Sequence, residues 1–146
     1  MRKITGIIVH ASATPANMDI GVKEIRQWHK AKGWKDIGYN YVIRRDGTLE
    51  GGRDLDNDGD FDEEVGAHAV GFNANTIGIC LVGGTDADDK NKAEANFTFA
   101  QYRTLYSLVQ YLKKQYNLTA KDIIGHRDLP GVTKACPCFD VQGFFS

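Results

Sequence analysis

An amphipathic segment near the end of the chain restricts the fold more than any other feature of the sequence. Residues 99–116 carry apolar side chains at every third or fourth position, the spacing of a helix that buries one face. Thr98 and Gln101 have the spacing of a capping box, and Phe97 can pack on Tyr102 as a hydrophobic staple. The sequence therefore predicts a long helix whose apolar stripe must pack against another layer.

Short apolar runs supply candidates for that layer. Residues 4–9 and 76–82 are rich in β-branched residues and fit buried strands. The runs 39–45 and 48–50 flank Asp46-Gly47, a dipeptide typical of two-residue hairpin turns because glycine accepts a positive φ. These patterns predict two buried strands and one hairpin.

A second helix is predicted over 20–32, with Val22, Ile25 and Trp28 on its buried face. The order of strand, helix, hairpin, strand and long helix indicates an α/β fold with a central mixed β-sheet flanked by helices. A chain of this length can bury a sufficient core without disulfides. We therefore expect a single domain over residues 1–146.

Charge and hydropathy exclude several classes of function. The net charge is −1 and no basic run is present, which argues against nucleic acid as a partner. No segment is apolar enough to predict membrane insertion, and the N-terminal apolar run is too short for a signal peptide. We expect a monomer that is made in a bacterial cytoplasm. It would reach any substrate in the cell wall after lysis or by separate export.

Three residues far apart in the sequence have the chemistry of zinc ligands. His10 ends the first predicted strand, His126 follows the long helix, and Cys136 comes ten residues later. A catalytic zinc site uses three such ligands and keeps a fourth position for water. Spacing alone is a weak indication, because a histidine at a strand end is more often structural, and Cys138 is an alternative ligand. His29, on the predicted first helix, is expected to pack or to face solvent.

Motifs in order along nearly the whole chain strengthen this interpretation. They lie at residues 9–14, 24–30, 33–34, 38–39, 45–48, 66–69, 75–78, 81–84, 125–126 and 134–137. Together they resemble the amidase-type bacteriophage lysozymes. These enzymes are zinc-dependent N-acetylmuramoyl-L-alanine amidases and are related to the peptidoglycan recognition proteins, whose fold the resemblance also implies.

The resemblance implies a reaction and a role for each matching residue. The zinc ligands would be His10, His126 and Cys136. Tyr39 would orient the attacking water and pass a proton to the leaving amine, and Lys134 would stabilise the oxyanion. His68 would line the cleft that holds the glycopeptide. The substrate would be peptidoglycan, cleaved between N-acetylmuramic acid and L-alanine by a phage or prophage lysin.

Two other functions remain open from the sequence. A peptidoglycan-binding module without catalysis could share this fold, although the presence of Tyr39, Lys134 and Cys136 counts against pure binding. An amidase that recycles soluble muropeptides would need the same residues. Assays on intact sacculi and on free muropeptides would separate these cases.

An acidic segment over residues 54–64 departs from the phage lysozymes, in which this connection is shorter. Its opening matches a calcium-binding loop, with aspartates at positions 1, 3 and 5 and Gly59 at position 6. Position 12 is Val65, so Glu63 or Glu64 would have to replace the usual glutamate with altered geometry. A solvated loop is the commoner fate of such a segment. The candidate calcium ligands are Asp54, Asp56, Asp58, Asp60 and Asp62.

Overall fold

The computed structural model describes residues 2–146 and folds them around a five-stranded sheet. The strands are β1 (Gly6–Ala11), β2 (Thr14–Pro15), β3 (Tyr41–Ile43), β4 (Leu49–Gly51), β5 (Thr76–Leu81), β6 (Gly84–Thr85) and β7 (Ile123–Gly125). The helices are α1 (Val22–Ala31), α2 (Phe99–Tyr116) and α3 (Val141–Phe145), and three short 3-10 turns lie at Asn73–Asn75, Ala120–Asp122 and His126–Asp128.

The main sheet has the order β4-β3-β5-β1-β7. Strand β4 pairs antiparallel with β3, and all other neighbours in the sheet are parallel. Strands β2 and β6 form a separate parallel pair. The predicted mixed sheet flanked by helices is therefore confirmed.

Side chains of the sheet alternate between two cores, because successive residues of a strand point to opposite faces. In β5, Ile77, Ile79 and Leu81 pack on the side of α2 and α3. The fully buried Cys80 packs on the other side with Val22 and Ile25 of α1. The helices α1 and α2 thus cover opposite faces of the sheet.

Helix α2 has the bounds and the cap that the sequence predicts. The Gln101 amide donates to the Thr98 hydroxyl over 3.1 Å, and the Thr98 amide donates to the Gln101 side chain over 2.9 Å. The rings of Phe97 and Tyr102 lie 6.0 Å apart, as expected for the staple. Within residues 2–146, none of the helices is both long and apolar enough to cross a bilayer.

Helix α1 buries a different face from the one predicted. Trp28 is 41% exposed, and His29 is the third buried residue beside Val22 and Ile25. Residues seven apart return to nearly the same side of a helix, whereas residues six apart do not. The choice of Trp28 was therefore wrong by one residue.

The hairpin between β3 and β4 has a longer loop than the predicted two-residue turn. Arg44 and Thr48 still pair through the backbone, and the Gly47 amide donates to the Arg44 carbonyl over 2.9 Å. Gly47 has a φ of +89°. These features describe a three-residue loop that ends in a left-handed glycine, the next most common hairpin connection.

Candidate metal centre and cleft

Two parallel neighbouring strands bring two histidines together. His10 lies in β1, one residue before the end of the strand, whereas the prediction made it the last residue; His126 directly follows β7. Their ring centroids are 4.6 Å apart. The loop before α3 adds Cys136, and one ligand atom from each of the three residues lies within 4.8 Å of the others. The structure therefore brings the three predicted zinc ligands together.

Backbone hydrogen bonds fix Cys136 in this position. The Ala11 amide, at the end of β1, donates to the Cys136 sulfur over 3.1 Å. The Arg127 amide donates to the Cys136 carbonyl over 2.7 Å, which ties the loop to the turn that carries His126. The alternative ligand, Cys138, donates to the Gly84 carbonyl over 3.3 Å and is not among the converging groups.

A chain of hydrogen bonds fixes which nitrogen of His10 is free. The Thr76 hydroxyl lies 2.6 Å from the Phe72 carbonyl, which can only accept, so the hydroxyl donates there. Its oxygen then accepts from His68 Nε2 at a long 3.4 Å. His68 Nδ1, with its lone pair, accepts from His10 Nε2 over 2.9 Å. This network assigns a free lone pair to Nδ1 of His10.

The packing around His68 explains a glycine in the neighbouring strand. A Cβ at Gly78 would lie 2.5 Å from the His68 ring, so a side chain there would displace the ring. The His68 amide also donates to the Asn73 side chain over 2.9 Å. His68 is thus held from three sides and is 8% exposed.

Burial keeps the histidines of the site neutral. It lowers the pKa of His10 well below its usual value, and the neighbouring His68 and His126 lower it further. Burial also lowers the pKa of His68 to about 4. The pKa of His126 falls because of burial and then because of Lys134. Neutral imidazoles offer the lone pairs that a metal requires.

Tyr39 and Lys134, the predicted catalytic residues, border the same site. The Tyr39 ring lies 5.1 Å from the ring of His10. Burial, followed by the nearby thiols of Cys80 and Cys136, raises the pKa of Tyr39 well above its usual value. Its phenol therefore stays protonated and can donate a hydrogen bond. Lys134 is exposed at the rim, where a flexible ammonium can meet a bound ligand.

The converging groups form the floor of a cleft of about 440 Å³. One wall comes from α1 and the segment after it, and it contains Trp28, His29, Lys32 and Trp34. The Gly38 amide donates to His29 Nδ1 over 2.9 Å, and burial lowers the pKa of His29 to about 4. This wall was not predicted from the sequence, although Trp28 lies in the predicted first helix and Trp34 closely follows it.

The acidic segment lies apart from the metal centre and forms two groups of carboxylates. The first group is Asp54, Asp56 and Asp58, and the second is Asp56, Glu63 and Glu64; within each, the oxygens lie within 4.8 Å of one another. Asp60 belongs to neither group. Asp62, also a predicted calcium ligand, accepts hydrogen bonds from two tyrosine hydroxyls instead. These come from Tyr41 and Tyr116.

Comparisons with known proteins identify the family of the chain that carries this site. Residues 1–139 match the family model described as N-acetylmuramoyl-L-alanine amidase. The chain belongs to this family. The resemblance and the enzyme class predicted from the sequence, an N-acetylmuramoyl-L-alanine amidase, are thereby confirmed.

Similar proteins agree with this assignment. An endolysin of Klebsiella phage KP32 is 52% identical over 136 residues, which cover 93% of this chain and 82% of that protein. The solved structure of the N-acetylmuramoyl-L-alanine amidase LysC from Clostridium intestinale URNW has a TM-score of 0.73 and 30% identity, covering 93% of this chain and 77% of that one. The structure of bumblebee PGRP-SA, at 22% identity and a TM-score of 0.71, covers 98% of this chain and 80% of that one, and shares the fold.

Proposed function

We propose that this amidase uses one zinc ion, held by His10, His126 and Cys136, to cleave peptidoglycan between N-acetylmuramic acid and L-alanine. The observation that carries the proposal is the convergence of two imidazoles and one thiol at the floor of a cleft. Membership of the family supports the reaction, and the convergence of these three residues supports the cleft floor as the site of catalysis.

The three residues fit a catalytic zinc ion by their chemistry. Two nitrogen donors and one sulfur donor leave one tetrahedral position for a further ligand, whereas structural sites use all four positions. The Ala11 amide that donates to the Cys136 sulfur favours the thiolate form. Without a cation, burial raises the pKa of Cys136 to about 11, so a nearby positive charge is needed to keep the thiolate at neutral pH.

Zinc at this position would act as a Lewis acid, which activates water near neutral pH and polarises the scissile carbonyl. The phenol of Tyr39 remains protonated and is therefore suited to donate to the substrate and to support proton transfer to the leaving amine. The Lys134 ammonium, at the rim next to His126, can stabilise the negative charge that develops on the carbonyl oxygen.

His68 lines the cleft, as the resemblance implied, but its hydrogen bonds suggest a role other than contact with substrate. Although it lines the cleft, both of its ring nitrogens are engaged, by His10 and by Thr76. We assign it as a positioning residue that fixes the orientation and tautomer of His10. Histidine ligands of metals commonly donate their second ring N–H to such a partner.

The cleft and the relatives suggest the biological substrate. A volume of about 440 Å³ suits a sugar with the first residues of its peptide, and the exposed ring of Trp28 offers an apolar face for them. The relatives named as endolysins favour a phage lysin that acts on the cell wall. We further propose that the chain acts as a monomer and reaches this substrate after lysis or by export.

Purified sacculi provide the test. The zinc-loaded protein should release new amino groups on L-alanine, lose this activity on chelation, and regain it when zinc is added. A parallel assay with free muropeptides separates a lysin from a recycling amidase by relative rate. The proposal fails if the new chain ends are reducing sugars, or if cleavage continues in metal-free protein.

A further inference from the structure

The acidic loop, residues 54–64, gathers five of its seven carboxylates in one small region. Its two groups, described above, share Asp56, so the side chains of both groups border the same space. The loop begins after β4 and ends just before the segment that carries His68. It is outside the proposed zinc centre and has no part in the proposed reaction.

The backbone of the loop turns as a calcium-binding loop does. The amides of Asp58 and Gly59 donate to the carboxylate of Asp54 over 3.2 and 2.9 Å. Gly59, at position 6 of the motif, has a φ of +77°, a value that favours glycine. The aspartates at positions 1, 3 and 5 therefore face the inside of a turn.

Glu64 provides an independent observation from the protein interior. It is only 7% exposed, yet no side chain within residues 2–146 donates to its carboxylate; the Asn40 side chain donates to its backbone carbonyl instead. The ion pairs of the described residues are Arg26–Asp36 and Arg44–Asp19, so no cation is in contact with Glu64 or with the other four acids. The Leu55 amide and the Arg53 charge favour the carboxylate, but burial outweighs both and raises its pKa.

A nearly buried carboxylate that no ion pair in contact neutralises is costly unless a cation binds beside it. A carboxylate oxygen of Glu64 lies within 4.8 Å of oxygens of Asp56 and Glu63, so a single ion could neutralise all three carboxylates. All available donors are oxygens, which hard cations prefer. Calcium accepts six to eight oxygens in flexible geometry, whereas magnesium requires a compact octahedron.

We propose that the acidic loop binds one calcium ion through the carboxylates of Asp54, Asp56, Asp58, Glu63 and Glu64. Glu63 and Glu64, at positions 10 and 11, take the place of the glutamate that normally stands at position 12. Asp62 lies outside the site because its carboxylate holds Tyr41 and Tyr116.

The site would connect the loop to the wall of the cleft. The Asn40 side chain donates to the carbonyls of Phe61 and Glu64 over 2.9 Å each, and the Ala67 amide donates to the Gly38 carbonyl over 3.0 Å. An ion that holds Glu64 therefore also holds the approach to the neighbouring His68.

Calorimetric titration of calcium into zinc-loaded, calcium-free protein tests the proposal. We expect one calcium per chain with a Kd of about 10⁻⁵ to 10⁻³ M, since the position-12 ligand is replaced. At a calcium concentration of 100 times Kd, the midpoint of thermal unfolding should rise by about 5–10 °C. Zinc is kept constant, so this result is independent of the proposed amidase mechanism.

Three single substitutions separate coordination from general attraction to acidic residues. Glu64→Gln and the exposed Asp56→Asn should each weaken calcium binding by at least about tenfold, because each removes a charged ligand. Asp60→Asn is the matched control, since it removes the same charge from the same loop but from neither carboxylate group. It should change the Kd by less than about twofold, as expected for an exposed charge.

The proposal is overturned if the unaltered protein binds no calcium, or binds magnesium as tightly. It is also overturned if Asp60→Asn weakens binding as much as Asp56→Asn does. Because Asp56 is exposed, its substitution remains informative even if Glu64→Gln disturbs folding.

Discussion

The metal centre and the acidic loop are two candidate cation sites built in opposite ways. The centre takes nitrogen and sulfur ligands from three distant segments and holds them with backbone hydrogen bonds at the ends of β1 and β7. The loop offers only oxygens from one continuous segment, in which two of the five side chains are exposed, two are half-buried and one is buried. The ligands of the first site come together only when the whole chain folds, whereas those of the second are already close to one another in the sequence.

The two sites would derive their affinity for a cation from different sources. The candidate ligands of the metal centre are neutral imidazoles and a thiol, which the strand ends and a backbone hydrogen bond hold close together. Ligands of the loop repel one another, and an ion would relieve that repulsion. Substitutions should therefore change catalysis at the first site and mainly ion binding and stability at the second.

The largest effect should come from Cys136→Ala. This change removes the thiolate, so the purified protein should lose its zinc and more than about 10³-fold of its activity, exceeding the loss of one oxyanion donor. Elemental analysis and cleavage of sacculi measure the two losses. Cys138→Ala is the matched control and should keep both. A fully active Cys136→Ala protein would remove the distinction between the two sites.

Lys134→Ala should separate metal binding from chemistry. We expect full zinc content and a kcat reduced by about 10²- to 10³-fold, because the oxyanion loses one stabilising charge. Lys121→Ala, on an exposed turn, provides a control for the loss of positive charge. An unchanged kcat, or loss of zinc, would contradict the role of Lys134.

Thr76→Val and His68→Leu should weaken zinc binding by about 10- to 100-fold, since they disrupt the hydrogen bonds that orient His10. His68→Asn can keep an acceptor close to the position of Nδ1, so its effect should be smaller. Competition with a chelator of known affinity measures each Kd without reference to activity. If zinc affinity is unchanged and KM rises instead, His68 contacts substrate as the resemblance implied.

The smallest effect concerns the pH dependence of calcium binding. Contacts with Asp58 and Asp56 raise the pKa of Glu63 to about 7, so this carboxyl is mostly protonated at pH 6 and mostly charged at pH 8. Calcium must displace the proton, and its affinity should rise by up to about tenfold over this range. Titrations at both pH values check this, and a flat profile would contradict it. Glu63→Gln should reduce the rise.

Local signals in the sequence predicted the long helix well. The cap at Thr98, the staple at Phe97 and the apolar stripe all act within a few residues, so α2 begins and ends where expected. The hairpin was predicted in the right place, but its loop length depends on the pairing of Arg44 with Thr48, which composition does not reveal. Likewise, assigning Trp28 to the buried face failed through an error of one position.

The candidate site could be predicted only in part. Spacing alone did not identify His10, His126 and Cys136, because only the folded sheet brings these distant residues together. The family resemblance identified them. The chain of bonds from Thr76 through His68 to His10 could not be predicted, since it joins side chains up to 66 positions apart in the sequence. The motif of the acidic loop, in contrast, lies within eleven consecutive residues and could be found from the sequence.

The carboxylate of Asp62 has a consequence for how such a chain can vary. It joins Tyr41 of the sheet and Tyr116 of α2, while Asn40 grips the neighbouring carbonyls of Phe61 and Glu64. These hydrogen bonds fix the C-terminal end of the acidic loop against the sheet and α2. The part of the loop before Asp62 can therefore be replaced by a shorter, longer or differently charged segment. Such a replacement should leave the candidate zinc ligands in place.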